Sequence, residues 1–178
     1  MKKSVLLVVF IVSCMTSFGQ TKEKDLTQAE LFSSQAGTLI ERQFVEIGKV
    51  KGVEVKVIKY KDLNNGSSKS ALRFEYEYKS SYSSDSKIAS LDLDEIDGLI
   101  KSMKNLQSTV FPSTRDIYTE VTFKSRTGFE AGAYFSTDKG KWTAYIQIEK
   151  FDSNSLVFLT TEDFSTILGL IEQAKAKM

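Results

Sequence analysis

The chain has 178 residues, with 24 Lys and Arg against 23 Asp and Glu, one cysteine and no histidine. The absence of imidazole excludes Ser-His-Asp and Cys-His nucleophile systems, histidine zinc sites and histidine general bases. The near-neutral balance offers no general attraction to nucleic acid or to anionic membrane, and the length is that of one domain.

Residues 1–19 have the three parts of a bacterial secretory signal: Lys2 and Lys3, an apolar run over 5–12, and Ser17-Phe18-Gly19 ahead of Gln20. The run is too short for a membrane-spanning helix, which needs about 20 apolar residues. The expectation is an exported, periplasmic or secreted protein cleaved before Gln20. The alternative is a lipoprotein, because Ile11-Val12-Ser13-Cys14 resembles a lipobox whose cysteine becomes the lipidated N-terminus. Cleavage before Gln20 removes the only cysteine, and with it disulfides, thiol catalysis and iron–sulfur ligation.

Residues 20–36 read as a polar leader holding a short helix over about 27–35, where Thr27-Gln-Ala-Glu30 has the form of a capping box and Gly37 ends it. The rest, 37–178, reads as one α+β domain. Strand signals fall at 39–50, 53–60, 71–79 and 87–91, separated by turn-like Lys51-Gly52, 64–68 and 80–86. In the third, Leu72, Phe74, Tyr76 and Tyr78 alternate with Arg73, Glu75 and Glu77, as in a strand with one buried face.

The segment 91–103 then closes a strand and opens a helix. Asp92 stands at the N-cap, Glu95 follows three residues on, and Ile96, Leu99, Ile100 and Met103 keep helical spacing. The pattern returns at 159–171, with Thr160 and Asp163 as the cap pair and Phe164, Ile167, Leu168 and Ile171 at the same offsets. Between the two helices the order of strands also begins again after Pro112. Residues 118–121 answer 44–47, 128–130 answer 52–54, and 142–148 answer 72–78. The prediction is therefore two antiparallel four-stranded ββββα repeats, about 39–107 and 116–178. They share one core, and their helices lie at about 93–107 and 162–177.

That order resembles the single-stranded nucleic-acid-binding fold of the Whirly and PUR families over 39–178. The resemblance is one of topology: the Whirly motif Lys-Gly-Lys-Ala-Ala-Leu has no counterpart, and the nearest basic strand, Val55-Lys-Val-Ile-Lys59, lacks the glycine. It implies nucleic-acid binding on a sheet surface. Strand parity argues the other way, since Glu54, Glu75, Glu77, Glu120, Glu130 and Glu149 face outward against Lys56 and Arg73, and a phosphate-tracking face must be basic.

No phosphate loop of the G-x-x-x-x-G-K-[ST] or G-x-G-x-x-G type is present. Asp92, Asp94 and Asp97 invite a calcium reading, but the register of an EF-hand loop fails, with Ile96 at its fifth position and Asp97 where glycine is required. An acid-rich helix start accounts for them. The strand acids Glu46, Glu54, Glu75, Glu77, Glu120 and Glu130 supply carboxylates for a glycosidase-type pair, yet cross-strand ion pairs explain them more simply. Phe74, Tyr76, Phe129, Phe135 and Trp142 fall on inner faces as core, whereas Tyr60, Tyr118, Tyr134 and Tyr145 fall on outer faces, where tyrosine contacts a sugar or a peptide.

No catalytic residue, metal ligand or cofactor site is assigned. The expected function is that of an exported, non-catalytic binding or scaffolding module in the bacterial envelope, its partner an envelope protein or a glycan and not nucleic acid. A carboxylate-pair hydrolase is the alternative, and single-stranded nucleic-acid binding, implied by the resemblance alone, is third.

Overall fold

The computed structural model describes residues 26–178; the expected signal segment, Cys14 and residues 20–25 of the leader lie outside them. The first described element is the short helix α1, Gln28–Ser33. Its capping box is closed in both directions, with Thr27 Oγ1 accepting from Glu30 N–H and Glu30 accepting from Thr27 N–H, each at 3.0 Å.

Four strands follow, β1 (Ile40–Val50), β2 (Val53–Asp62), β3 (Ser68–Lys79) and β4 (Ser84–Leu91), each paired antiparallel with the next in chain order. Helix α2 (Leu93–Asn105) runs on into a π-helical turn, Leu106–Val110. A second antiparallel sheet is formed by β5 (Thr119–Lys124), β6 (Glu130–Ser136), β7 (Lys141–Gln147) and β8 (Leu156–Leu159), again in chain order, and α3 (Thr161–Lys175) ends the fold. The α+β class and the two four-stranded antiparallel sheets are as expected. β4 begins three residues before the expected Lys87, because Ser84 and Asp85 already pair with Lys79 and Tyr78 across a tight turn.

Each sheet buries one face, and the two buried faces meet. Val53, Val55, Val57, Leu72, Phe74 and Leu91 of the first sheet join Ala131, Ala133, Ala144, Ile146 and Val157 of the second in a single cluster. The Phe74 ring stacks on that of Phe129, just before β6, with centroids 4.4 Å apart and planes 8° from parallel. An offset stack of this kind adds about 0.5–1.5 kcal/mol beyond burial.

Both helices enter the same cluster, through Ile96, Leu99 and Met103 of α2 and Phe164, Ile167 and Ile171 of α3. Neither helix is confined to the sheet it follows: α3 touches β1, β2 and β3 as well as β7 and β8, and α2 reaches β6. Close approach is possible where a side chain is missing. At Gly48, in the bulge of β1, an added Cβ would stand 2.7 Å from a Leu170 methyl of α3, so a larger residue there would require that side chain to move. The helices are also pinned to each other by Lys104–Glu172 at 2.6 Å, by Lys175–Asp97, and by Gln107 Nε2 donating to Ser165 Oγ at 2.7 Å.

Outside this core, α1 lies on the outer face of the first sheet, where Ala29 packs with Ile58, Tyr60 and Ala71. Among the described residues no helix is long and apolar enough to cross a membrane. Because Leu99 and Ile167 are fully buried in the one cluster, Leu99→Ala and Ile167→Ala are each expected to cost about 2–5 kcal/mol. Urea unfolding measures this; an unmoved midpoint for either variant would remove that helix from the core.

Candidate functional site

The four tyrosines expected on outer faces divide between the two sheets. Tyr118 precedes β5, Tyr134 lies on β6 and Tyr145 on β7, and strand register puts all three on the outer face of the second sheet together with Phe158 of β8. Among the described residues no helix covers this face. Tyr134 faces Glu120 on one side and Thr143 on the other, and Tyr145 faces Gly132 and Phe158.

Ring contacts join part of this set. Tyr118 and Tyr134 have centroids 6.1 Å apart at a 32° tilt, and Phe158 meets Tyr134 edge-on at 6.4 Å. Tyr118 is 59% exposed and Phe158 53%. Their exposure is costly in water and is unusual for rings in contact with one another. The Tyr118 hydroxyl donates to the Glu120 carboxylate, and this bond to a neighbouring anion raises the phenol to about 12, so it stays a donor.

Tyr145 has a different place in the same face. It is only 9% exposed, and its hydroxyl lies 2.8 Å from Thr122 Oγ1, two strands away. To reach there the ring must cross Gly132, which sits between them in register. A Cβ at Gly132 would lie 2.5 Å from the Val121 carbonyl oxygen, so that position must be glycine and Tyr145 covers the resulting gap. Burial pushes the Tyr145 phenol up, while its bond with Thr122 opposes this. Tyr145 is thus the floor of the surface, with Tyr118, Tyr134 and Phe158 standing above it. Phe158 was legible from its parity with Tyr145 but not from tyrosine chemistry, and only cross-strand register brings it to the group.

Tyr60 is corrected. It is on the outer face of the first sheet, as parity requires, but it is 4% exposed because α1 covers it. It is not brought together with the other three.

The rest of the first outer face is a lattice of ions. Lys56 bridges Glu54 and Glu75 at 2.7 Å each, Lys49 holds Glu54 at 2.9 Å, and the Arg73 guanidinium, bonded to Glu75, lies over the Phe44 ring at 5.8 Å. The hydrogen bonds from Lys56 and then Lys49 bring Glu54 down to about 2. Burial raises Glu75, but the bonds from Lys56 and Arg73 prevail and leave it below the usual carboxylate range. Bonds from Ser84 and Lys79 lower Glu77 as well. These are carboxylates held as anions, the opposite of what a general acid requires.

The acid-rich start of α2 is also occupied. Asp92, Asp94 and Glu95 bring three carboxylates together, but Arg126, from the turn before β6, is inserted among them. Its Nη1 lies 2.8 Å from Asp92, its Nη2 3.0 Å from Asp94, and its backbone N–H donates to Glu95 Oε1 at 2.6 Å. The Asp92 carboxylate makes no capping hydrogen bond to its own helix. It accepts instead from the Gln28 and Ala29 N–H groups at 2.6 and 3.2 Å, capping α1 across 64 and 63 positions of sequence. Glu95 supplies the other half of the expected box by accepting from Asp92 N–H at 3.2 Å. The guanidinium is therefore the cation of this cluster.

Compared with protein-family models, with curated proteins and with solved structures, the chain matches none.

Since one buried carboxylate holds both α1 and Arg126, Asp92→Ala is expected to cost about 1.5–3 kcal/mol, the range for hydrogen bonds to a charged group. Amide exchange over Gln28–Ser33 should accelerate far more than exchange in β2. Unchanged protection of α1 would show that the apolar contacts of Ala29 and Phe32 hold it without Asp92.

Proposed function

We propose that this chain is an exported, non-catalytic binding module of the bacterial envelope whose ligand is a glycan, held on the outer face of the second sheet. The observation that carries the reading is the contact series Tyr118, Tyr134, Phe158 on a face that no helix covers. Rings in contact but exposed present apolar platforms for the C–H faces of sugars. The acceptors and donors beside them, Glu120, Thr122 and Thr143, suit hydroxyl groups. A protein partner of ordinary kind favours an apolar centre depleted of charge, and here Glu120 and the Lys124–Glu130 pair at 2.8 Å stand within the face.

The hydrolase alternative has less support, because Glu54 and Glu75 of the first sheet are paired with cations and held below their ordinary range. Nucleic-acid binding is disfavoured on the same surface, where Glu54, Glu75 and Glu77 stand beside the bases a phosphate backbone would need.

The same reading takes the chain as a duplicated ββββα unit. Supporting it are the sequential strand order of both sheets, the capped helix after each fourth strand, and the matching core offsets of the two helices. Helix α1 precedes only the first unit. It covers one outer face and leaves the other for ligand.

Tyr118→Ala and Phe158→Ala are expected to lower the fraction of protein that cosediments with purified cell-wall glycan about tenfold together, as removal of central aromatic contacts does. Their melting temperature should stay within the small range of surface changes. Equal sedimentation of variant and parent would remove this face as the site.

The localisation half is tested by intact mass. Cleavage before Gln20 should give a soluble product lacking Cys14, whereas an acylated product beginning at Cys14 in the membrane fraction would make the module a lipoprotein.

A further inference from the structure

A second site, a groove, lies at the end of the same sheet and is lined by residues of both parities, Trp142 and Ala144 from the inner face and Lys141 and Thr143 from the outer. The chain leaving α2 passes over the end of β7, and between them and the start of α3 is a groove of about 560 Å³. That is within the roughly 300–1,000 Å³ of small-molecule sites. Its apolar wall is Phe111, Pro112, Phe135, Trp142 and Leu159. Trp142, expected as core, is only half-buried because β7 begins at Lys141 and the sheet ends there. The indole is nevertheless rigidly set: its N–H donates to the Ser113 carbonyl at 2.8 Å, and Phe135 meets it edge-on at 5.4 Å.

The charge at this groove is one-sided. The Arg115 guanidinium lies over the Trp142 ring at 5.3 Å, and its Nη1 donates only to neutral acceptors, Ser113 Oγ at 2.8 Å and the Thr114 carbonyl at 2.7 Å. Lys141 is the single charged residue in the lining. Among the described residues no carboxylate pairs with either cation. This differs from the ion lattice of the first sheet, where cations are shared out among acids. Asp163, in the first turn of α3, is held outside the lining by the N–H and hydroxyl of Thr160, at 2.9 and 2.7 Å, and by Lys51 at 3.7 Å. Thr160 and Thr161, at the start of the 15-residue α3, complete the lining with neutral side chains.

We propose that this groove binds an amphipathic monocarboxylate, an aryl or alkyl body ending in a carboxylate. The body lies against Trp142, Phe111 and Pro112, and the carboxylate is taken by Arg115 and Lys141. A guanidinium already fixed beside the indole by two hydrogen bonds has little freedom left to lose, and its remaining donors match a carboxylate in pairs. The indole wall of the groove is on the opposite side of the sheet from the rings of Tyr118, Tyr134 and Phe158, while Lys141 and Thr143 reach it from the edge of their face.

Trp142 is the only tryptophan of the chain, so its emission reports this groove alone. Titration of the purified protein with 4-phenylbutyrate and with decanoate should give a saturable change in emission with Kd of about 1 mM or tighter; the two probes separate an aryl from an alkyl preference. The uncharged 4-phenylbutyramide should bind at least about tenfold more weakly, and the double variant Arg115→Gln, Lys141→Gln should lose about the same factor for the carboxylate. Tyr118→Ala should bind as the parent does. The proposal is overturned if neither carboxylate gives saturation, if the amide binds as well as the acid, or if the double variant, folded by circular dichroism, binds as tightly as the parent.

Discussion

The Phe74–Phe129 stack marks the constraint on which the structure depends: each of the two sheets is apolar on one face only, and neither can bury that face alone. A strand sends alternate side chains to opposite faces, so an amphipathic four-stranded sheet must find a second layer. Here the layer is the other sheet, with α2 and α3 filling the space around the contact. Because α3 touches strands of both sheets, the two halves of the chain cannot be separated without exposing large apolar surfaces on each. The bulge glycine at position 48, which admits Leu170, is part of the same constraint.

With the inner faces committed to one another, the two outer faces are the only broad surfaces left, and they are treated differently. On the first, lysine and arginine alternate with glutamate across strands. Glu54 and Glu75 are paired in place, α1 covers the apolar patch of Ile58, Tyr60 and Ala71, and Phe44 is left as a single exposed ring beneath Arg73. The second has no covering helix and keeps aromatic rings in the open. A face whose central charges are paired with one another has less left to offer a ligand. The aromatic face keeps exposed rings in contact with one another beside polar groups, and this asymmetry underlies the functional reading.

Asp92 connects these arrangements. It ends β4's continuation into α2, caps α1 and receives Arg126 from the turn leading into β6. A carboxylate that accepts several hydrogen bonds in a buried place is stabilised only while all its partners are present. Position of the covering helix, start of α2 and approach of the second sheet are thereby made mutually dependent. The cluster of acids at this point has the composition of a metal site and the electrostatics of a closed ion pair.

Periodicity was enough to read the strands, the helices, their caps and the side of each strand that faces inward, because burial imposes a period of 2 on strands and 3.6 on helices. Thus Leu99, Ile167, Phe74 and Phe129 were legible as core, Glu54, Lys56 and Glu75 as an outer ionic face, and Tyr118 and Tyr134 as outward aromatics. What parity cannot contain is the identity of the neighbour on a given face. Whether Tyr60 is open or covered depended on where α1 folds back, and that was decided by Asp92, distant in sequence. That Tyr145 lies flat as a floor was decided by Gly132 on the adjacent strand. Trp142 followed its inward parity yet lines a groove, since the sheet ends beside it and the linker passes over it. Local sequence therefore determined direction, and only the tertiary structure decided contact, because contact requires a second segment whose position is set by packing elsewhere in the chain.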